Sequence, residues 1–184
     1  LQYSLIRTLN EESRKYSDAI DLTIGEPDIT SPKELITEAL KYGAEHQLRY
    51  SPTGGGEKIR TLTADYYNRK YGSSYAADNV IINVGASEAL SSCLRTILNS
   101  GDEVMVPVPF YPGYPPMISL CCAETVFVDI TKTGFKITAE LLEDNYSSKT
   151  KALLLSNPCN PTGNVLTLEE MNTIADFIKK RDIF

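Results

Sequence analysis

The chain has 184 residues, which is enough for one sizeable domain with its own core. A net charge of −6 argues against a nucleic-acid groove, and no apolar run approaches the length of a membrane span. Four cysteines without a CxxC pair, together with the single histidine His46, argue against a zinc site. We therefore expect no metal, no nucleic acid and no membrane partner, and a reducing cytoplasm as the location.

The first part of the chain is predicted to form helices around an extended stretch. Apolar residues at helical spacing predict a short helix in residues 1–16, and alternation predicts a strand or extended segment in residues 19–24. Ser31, Pro32 and Glu34 predict the start of the next helix, with Ser31 as its N-cap.

The remainder of the chain alternates between helical and strand patterns. Helices are predicted at residues 57–71 (ended by Gly72), 87–99 and 114–122, and from a capping box at Thr167 and Glu170 onward. Strands are predicted at residues 80–84, 104–106, 126–128 and 153–155. Strands separated by helices imply an α/β fold with a mainly parallel sheet and flanking helices.

Two stretches are suited to hold an anion or a polar ligand. Asn157–Gly163 follows a buried strand, and the carboxyl edge of a parallel sheet is where open α/β folds bind ligands. Gly85–Ala89 lies between a strand and a helix, so that free N–H groups and the Ser87 hydroxyl form an anion site. Ser87 is also suited to be a simple N-cap. Ser87 is excluded as a hydrolase nucleophile. The histidine that acts as its base should follow the serine in the chain, and the only histidine, His46, precedes it.

Two further stretches carry weaker signals. Pro109–Tyr114 places aromatic rings in a proline-fixed loop after a strand, suited either to stack on a planar heterocycle or to pack in the core. Gly25, within Gly-Glu-Pro-Asp, has a backbone that a ligand can approach closely. The same four residues are equally typical of a simple turn. Tyr50 precedes a loop of three glycines at residues 54–56.

The order of these motifs is more specific than any one of them. From about residue 17 to the end, the chain resembles the N-terminal half of the class I/II (fold-type I) aminotransferases, whose NPxNPTG signature matches Asn157–Gly163. The resemblance implies a pyridoxal 5'-phosphate (PLP) cofactor and an incomplete large domain at residues 46–184. It also implies that residues 1–45 form a helical N-terminal arm, which in the family fold lies on the side of the small domain.

The resemblance also implies the roles of single residues. Ala86 and Ser87 match the pair that binds the cofactor phosphate, and Tyr111 matches the residue that stacks on the pyridine ring. Asn160 matches the asparagine that donates a hydrogen bond to the phenolic oxygen of PLP, and we also assign it to the substrate site.

Two residues of the first part of the chain match substrate and subunit contacts. Gly25 matches the glycine whose backbone meets the substrate α-carboxylate. Tyr50 matches the tyrosine that reaches the phosphate bound by the neighbouring subunit, which implies a homodimer. The implied reaction is transamination between an amino acid and a 2-oxo acid, within amino acid metabolism.

The catalytic lysine of the family follows the NPxNPTG signature, so we expect it downstream of Phe184, together with an Asp and an Arg. Lys149 precedes Asn160 and is interpreted as an exposed loop lysine. We therefore expect no catalytic residue in these 184 residues, and no turnover by this chain alone. We also expect strand 80–84 to lack its usual neighbours, and the chain to associate.

Two alternatives stay open at this point. One is a PLP-dependent carbon–sulfur lyase, because the residues that choose the reaction lie outside this chain. The other is the aminotransferase-like domain of a transcriptional regulator.

Overall fold

The computed structural model describes residues 5–47 and 49–184. The chain divides into two compact units, with the boundary between Ile59 and Arg60. Residues 1–4 of the predicted first helix lie outside the described residues. In the part of the chain that the structure describes, no helix has the length and apolar character that a membrane crossing requires.

The first unit contains two helices joined by an irregular segment. Helix α1 spans Leu5–Ser13 and helix α2 spans Lys33–Glu45. The segment at residues 19–24 has no strand pairing. The predicted N-cap was wrong by one residue: Pro32, not Ser31, precedes the first helical residue, and no side chain caps the helix. Pro32 has the non-helical ψ of 129°, which delays the start of α2.

Helix α3, Glu57–Tyr71, has the predicted bounds. Gly72 ends it with a φ of +68°, a conformation that glycine adopts without strain. The Gly72 N–H donates to the Asn68 carbonyl at 3.0 Å, which satisfies one of the last carbonyls of the helix. Local end signals therefore predicted this helix correctly.

The second unit is built on a parallel sheet of three strands in the order β2-β1-β3. The strands are β1, Glu103–Val108, β2, Glu124–Asp129, and β3, Thr150–Leu153. Strand β1 is central, and its residues 104–107 are all buried. Fully buried consecutive residues are typical of a parallel strand covered on both faces. The predicted fold class is confirmed.

Helices cover both faces of this sheet. Helices α4, Gly85–Ile97, and α5, Tyr114–Ser119, pack on one face, and α6, Ala139–Asp144, and α7, Leu168–Arg181, pack on the other. The first core cluster contains Leu94, Leu98, Val104, Val106, Tyr114, Ile118, Ala123 and Ala152. The second contains Met105, Val128, Ile130, Ile137, Leu142, Phe177 and Ile183.

The two helices on the second face differ in how well the sequence predicted them. The capping box of α7 is present: Thr167 Oγ1 accepts from the Glu170 N–H, and the Glu170 carboxylate accepts from the Thr167 N–H. Helix α6 was not predicted, although Thr138 caps it by accepting from the Leu141 N–H. Its six residues are too few for a clear apolar period.

The predicted strand at residues 80–84 was wrong. This segment pairs with none of the three described strands, and Ile81 and Val84 are exposed by 69% and 90%. β-Branched residues favour an extended backbone, but a strand also needs a paired neighbour. The segment is therefore an exposed apolar connection between α3 and α4.

Candidate functional site

The loops that follow strands β1 and β3 meet at the carboxyl edge of the sheet. The Cys159 thiol, in the loop after β3, lies 3.6 Å from the Pro109 carbonyl, in the loop after β1, and donates to it. An apolar cavity beneath both loops is lined by Phe110, Leu154 and Leu166, among others. The topology therefore brings the two predicted motifs of this edge together.

The Asn157–Gly163 loop is held by its own backbone. The Cys159 N–H donates to the Asn164 carbonyl at 2.8 Å, and the Gly163 N–H donates to the Cys159 carbonyl at 2.7 Å. Gly163 has a φ of +72°, which favours glycine at this position. The peptide bonds that precede Pro158 and Pro161 are cis. This loop offers a fixed frame for its side chains.

The two asparagines of this loop have different surroundings. Asn157 Oδ1 accepts from the Leu166 N–H at 3.0 Å, so this carboxamide holds the loop to the chain that leads into α7. Asn160 is held through its backbone, whose N–H donates to Ser156 Oγ at 3.0 Å. Within residues 5–47 and 49–184, the Asn160 carboxamide has no hydrogen-bond partner, and it is exposed. In the described residues, both polar atoms of the Asn160 carboxamide are therefore available to a ligand, whereas Asn157 has its oxygen engaged.

Helix α4 begins with an exposed turn. Gly85, with a φ of +80°, is its first residue, and Val84 precedes it as the N-cap. Ser87 is the third residue of the helix, so its reading as an N-cap was wrong. The N–H groups of Ala86 and Ser87 belong to the first turn, which has no intrahelical acceptors for them. The Glu88 carboxylate accepts from the Val84 N–H, so this nearby acidic group is tied back to the chain.

The start of α4 points toward the same edge of the sheet. Leu94 and Leu98 pack with Val104 of β1 in one core cluster. A tight turn, in which the Asn99 N–H donates to Asp102 Oδ2 at 2.7 Å, joins the end of α4 to the start of β1. Helix α4 thus runs back along β1, and its N-terminus lies toward the end where β1 stops.

Tyr111 and its neighbour Phe110 are used differently. Phe110 stacks on Phe127 of strand β2 with ring centroids 5.2 Å apart, and therefore contributes to packing. Tyr111 is half-buried, and its ring meets that of Tyr114 edge to face at 5.5 Å. Part of the Tyr111 side chain therefore remains accessible, and an aromatic ring is suited to stacking on a planar group.

Gly113 makes room for the Tyr111 ring, which sequence analysis missed. A Cβ atom at residue 113 would lie 2.3 Å from Cε1 of Tyr111, well inside van der Waals contact. The backbone of Gly113 is ordinary, with a φ of −76°. This glycine is therefore required by the ring beside it and not by its own conformation.

The two remaining site predictions belong to the first unit. A side chain at Gly25 would have no atom within 4 Å, so its backbone is open to approach. Tyr50 is fully exposed. His46 is exposed and stacks on Tyr42 with ring centroids 4.0 Å apart.

Lys149 lies at the opposite edge of the sheet from Asn160. Its carbonyl accepts from the Glu103 N–H at 2.9 Å, where strand β1 begins, and its side chain is exposed. The prediction of an exposed loop lysine is confirmed. Lys149 is separated from the carboxyl-edge loops by the length of the sheet.

Comparison with known proteins identifies the family. The family model of aminotransferase class I and II matches residues 17–184. The chain belongs to this family. Its fold class is the one found in this family.

Relatives in sequence are aminotransferases as well. The chain is 41% identical over 185 residues to the probable N-acetyl-LL-diaminopimelate aminotransferase of Bacillus subtilis (strain 168), covering 100% of the chain and 47% of that protein. It is 34% identical to the aspartate aminotransferase of Bacillus sp. (strain YM-2), covering 90% and 43%. The chain spans about half the length of the curated relatives it matches.

Solved structures agree with this assignment. The aspartate aminotransferase of Thermus thermophilus with maleate is 29% identical, with a TM-score of 0.91, covering 100% of this chain and 50% of that one. The N-succinyldiaminopimelate aminotransferase of Mycobacterium tuberculosis is 27% identical, with a TM-score of 0.88, covering 98% and 48%.

Proposed function

We propose that residues 1–184 form the PLP-binding half of an enzyme that transfers an amino group between an amino acid and a 2-oxo acid. The observation that supports this most strongly is the free Asn160 carboxamide at the carboxyl edge of the sheet, toward which the N-terminus of α4 points. A hydrogen-bond donor and an anion site at one edge fit a planar cofactor that carries a phosphate.

The residues at this edge fit each part of PLP. The N–H groups of Ala86 and Ser87, with the Ser87 hydroxyl, suit the phosphate, because a helix N-terminus favours negative charge. The Tyr111 ring suits stacking on the pyridine ring. The Asn160 Nδ2 suits donation to the phenolic oxygen. When bound, PLP supplies an electron-accepting ring that allows the Cα proton of an amino acid to leave.

The other parts of the chain are proposed to bind substrate and partner. The Gly25 backbone N–H donates to the α-carboxylate of the substrate, and Asn160 completes the substrate side of the site. Tyr50 reaches the phosphate site of a second subunit, so the working form is a homodimer. The free state of all four cysteines is consistent with a cytoplasmic protein.

Proton transfer at Cα is proposed to require a lysine outside these residues. Lys149 is at the wrong edge of the sheet to reach a cofactor beside Asn160. Residues 1–184 alone should therefore bind PLP and not turn over substrate.

The test compares two polypeptides loaded with PLP. One is residues 1–184, and the other joins the same residues to the second half of the family fold. N-acetyl-LL-diaminopimelate and aspartate, each with a 2-oxo acid as acceptor, are the first pairs to assay, because relatives are named for these two compounds. We expect turnover by the longer polypeptide only. Turnover by the shorter one, or borohydride trapping of PLP on Lys149, would contradict the proposal.

The homodimer has its own test. Exposed apolar side chains such as Ile81 and Val84, at 69% and 90%, favour association. Light scattering of residues 1–184 should show a dimer or a larger species. A monodisperse monomer at micromolar concentration would count against it.

A further inference from the structure

A buried polar side chain lies on helix α1, where an apolar one would be expected. Asn10 is 9% exposed, and it is the only buried residue among the described residues of that helix. Its Nδ2 donates to Asp21 Oδ2 at 2.6 Å and to Thr23 Oγ1 at 3.1 Å. A buried carboxamide needs such partners, because an unpaired one loses its hydrogen bonds to water.

Asp21 and Thr23 close the network. The Thr23 N–H and the Thr23 hydroxyl both donate to Asp21 Oδ1, at 2.9 and 2.6 Å. The Thr23 hydroxyl and N–H, with the Asn10 amide as a further donor, hold the pKa of the Asp21 carboxyl below its ordinary value of 3.8. The carboxylate is therefore charged at neutral pH and accepts from both partners. We call Asn10, Asp21 and Thr23 the α1 cluster.

The α1 cluster is what holds the segment that follows it. In the described part of the chain, no backbone-to-backbone hydrogen bond is seen for residues 20–31, and their side-chain hydrogen bonds are those of the cluster, with the Ser13 hydroxyl as a further donor to Asp21. Burial does not fix the segment either, since Ile20 and Leu22 are exposed by 86% and 88%. Among the described residues of the first unit, the α1 cluster therefore supplies most of the hydrogen bonds that restrict this backbone.

We infer that Asn10, Asp21 and Thr23 are positioning residues for the Gly25 backbone and thereby set the affinity for the substrate carboxylate. This inference rests on the proposed function, in which Gly25 meets that carboxylate. Gly25 lies two residues after Thr23, a separation of about 7 Å at most. A glycine backbone samples many conformations, so an anchor this close lowers the entropy cost of ordering it around a ligand.

The main test replaces the Thr23 hydroxyl in the longer, PLP-loaded polypeptide. Thr23→Val keeps the shape of the side chain and removes the two hydrogen bonds of the hydroxyl, whereas the Thr23 N–H bond to Asp21 stays; Thr23→Ser restores the hydroxyl. Thr37→Val is the matched control, because the Thr37 hydroxyl bonds only to the Lys33 carbonyl within α2. KM and kcat are measured for the amino donor. The Kd of its α-methyl analogue, which keeps the carboxylate but has no Cα proton, is measured by absorbance.

The inference predicts an effect on binding and not on chemistry. Thr23→Val should raise the donor KM and the analogue Kd about fivefold to tenfold, because both hydrogen bonds of the Thr23 hydroxyl are lost. The kcat and the Kd for PLP should stay within about twofold, since they depend on other groups. Thr23→Ser and Thr37→Val should match the parent. Asn10→Ala removes a different member of the cluster and should give the same result as Thr23→Val. If Thr23→Val does not fold, Asn10→Ala tests the inference in its place.

Hydrogen exchange gives a readout without turnover. The Thr23 amide of residues 1–184, which donates to Asp21 Oδ1, should exchange faster in both variants. Faster exchange with unchanged KM and analogue Kd would show a structural role only and overturn the inference. A parent enzyme without transaminase activity would instead refute the proposed function, and with it this inference. If the parent is active and the variants keep its KM and analogue Kd, this inference alone is refuted.

Discussion

The two units of the chain are stabilised in different ways. The second unit surrounds its sheet with two apolar clusters, and Met105, Ile118 and Leu142 in them are fully buried. In the first unit, α2 buries no residue, and the described part of α1 buries only Asn10. The proposed cofactor contacts of this chain, apart from Tyr50, lie on the well-packed unit, whereas the substrate loop at Gly25 depends on a small polar network.

This difference separates two requirements of the proposed enzyme. A tightly held cofactor needs groups fixed before it binds, and a packed core with loops at its edge supplies them. A substrate that enters and leaves needs a loop that can move, and few buried contacts allow this. Single substitutions can act on one side of this comparison at a time.

The largest contrast is expected between two helical leucines. Leu142, in α6, is fully buried, and Leu40, in α2, is 70% exposed. Leu142→Ala should lower the free energy of unfolding by about 3 kcal/mol through lost transfer energy and a cavity. Leu40→Ala should change it by less than about 0.5 kcal/mol. Urea denaturation of residues 1–184 measures both. A cost above about 1.5 kcal/mol for Leu40→Ala would show that α2 is buried against another surface.

A smaller effect is expected at Glu170, a buried charge of the second unit. Its carboxylate accepts from the Ile137 N–H at 3.1 Å and the Thr167 N–H at 3.0 Å, and the residue is 7% exposed. Glu170→Ala leaves these donors unpaired and should cost about 2 kcal/mol of unfolding free energy. Glu170→Gln keeps an acceptor oxygen and should cost less. Equal costs for both variants would mean that the hydrogen bonds contribute little.

The same residue should make stability depend on pH. Burial raises the pKa of Glu170, but the bonds from Thr167 and Ile137 outweigh it and hold the pKa below its ordinary value of 4.5. The unfolded chain therefore binds more protons at this site between the two values. The stabilisation is complete above pH 4.5 and is lost as pH falls through the folded-state value. Glu170→Gln should lack this part of the acid dependence in urea titrations. If Glu170→Gln loses stability with falling pH as the parent does, the pH dependence of stability belongs to other groups.

A further change is expected at the Tyr111 ring. Gly113→Ala places a methyl group only 2.3 Å from Cε1 of Tyr111, so the ring must move. The Kd for PLP should rise about tenfold, a difference of about 1.4 kcal/mol. Gly43→Ala is the control, because a Cβ there meets nothing within 4 Å. A fluorescence titration that gives the same Kd for both variants would exclude the ring from binding.

Local signals in the sequence predicted the elements that depend on neighbouring residues. Helix α3 has the bounds that its pattern predicted, and α7 begins with the predicted capping box at Thr167. The strand predicted at residues 80–84 failed because pairing depends on distant residues. Ser31 and Ser87 failed as N-caps because the backbone turns into each helix at another residue.

The candidate site was predictable only in part, for the same reason. The NPxNPTG motif and its position after a strand identified Asn160, but only the structure shows that Asn157 is already bonded and Asn160 is not. A glycine fits at residue 113 because the ring of Tyr111, two residues earlier, lies against that position. The partnership of Asn10 with Asp21 is a tertiary contact across a turn, and no pattern of spacing indicates it.

The most direct test of the central claim is PLP titration of residues 1–184 and of two asparagine variants. If the cofactor site is built at the carboxyl edge, the parent chain binds PLP saturably and Asn160→Ala raises the Kd about tenfold with unchanged stability. Asn157→Ala should instead lower stability by about 1 kcal/mol, because it leaves the Leu166 N–H unpaired. No saturable binding by the parent chain, or equal PLP affinity of the parent and Asn160→Ala, would contradict the account.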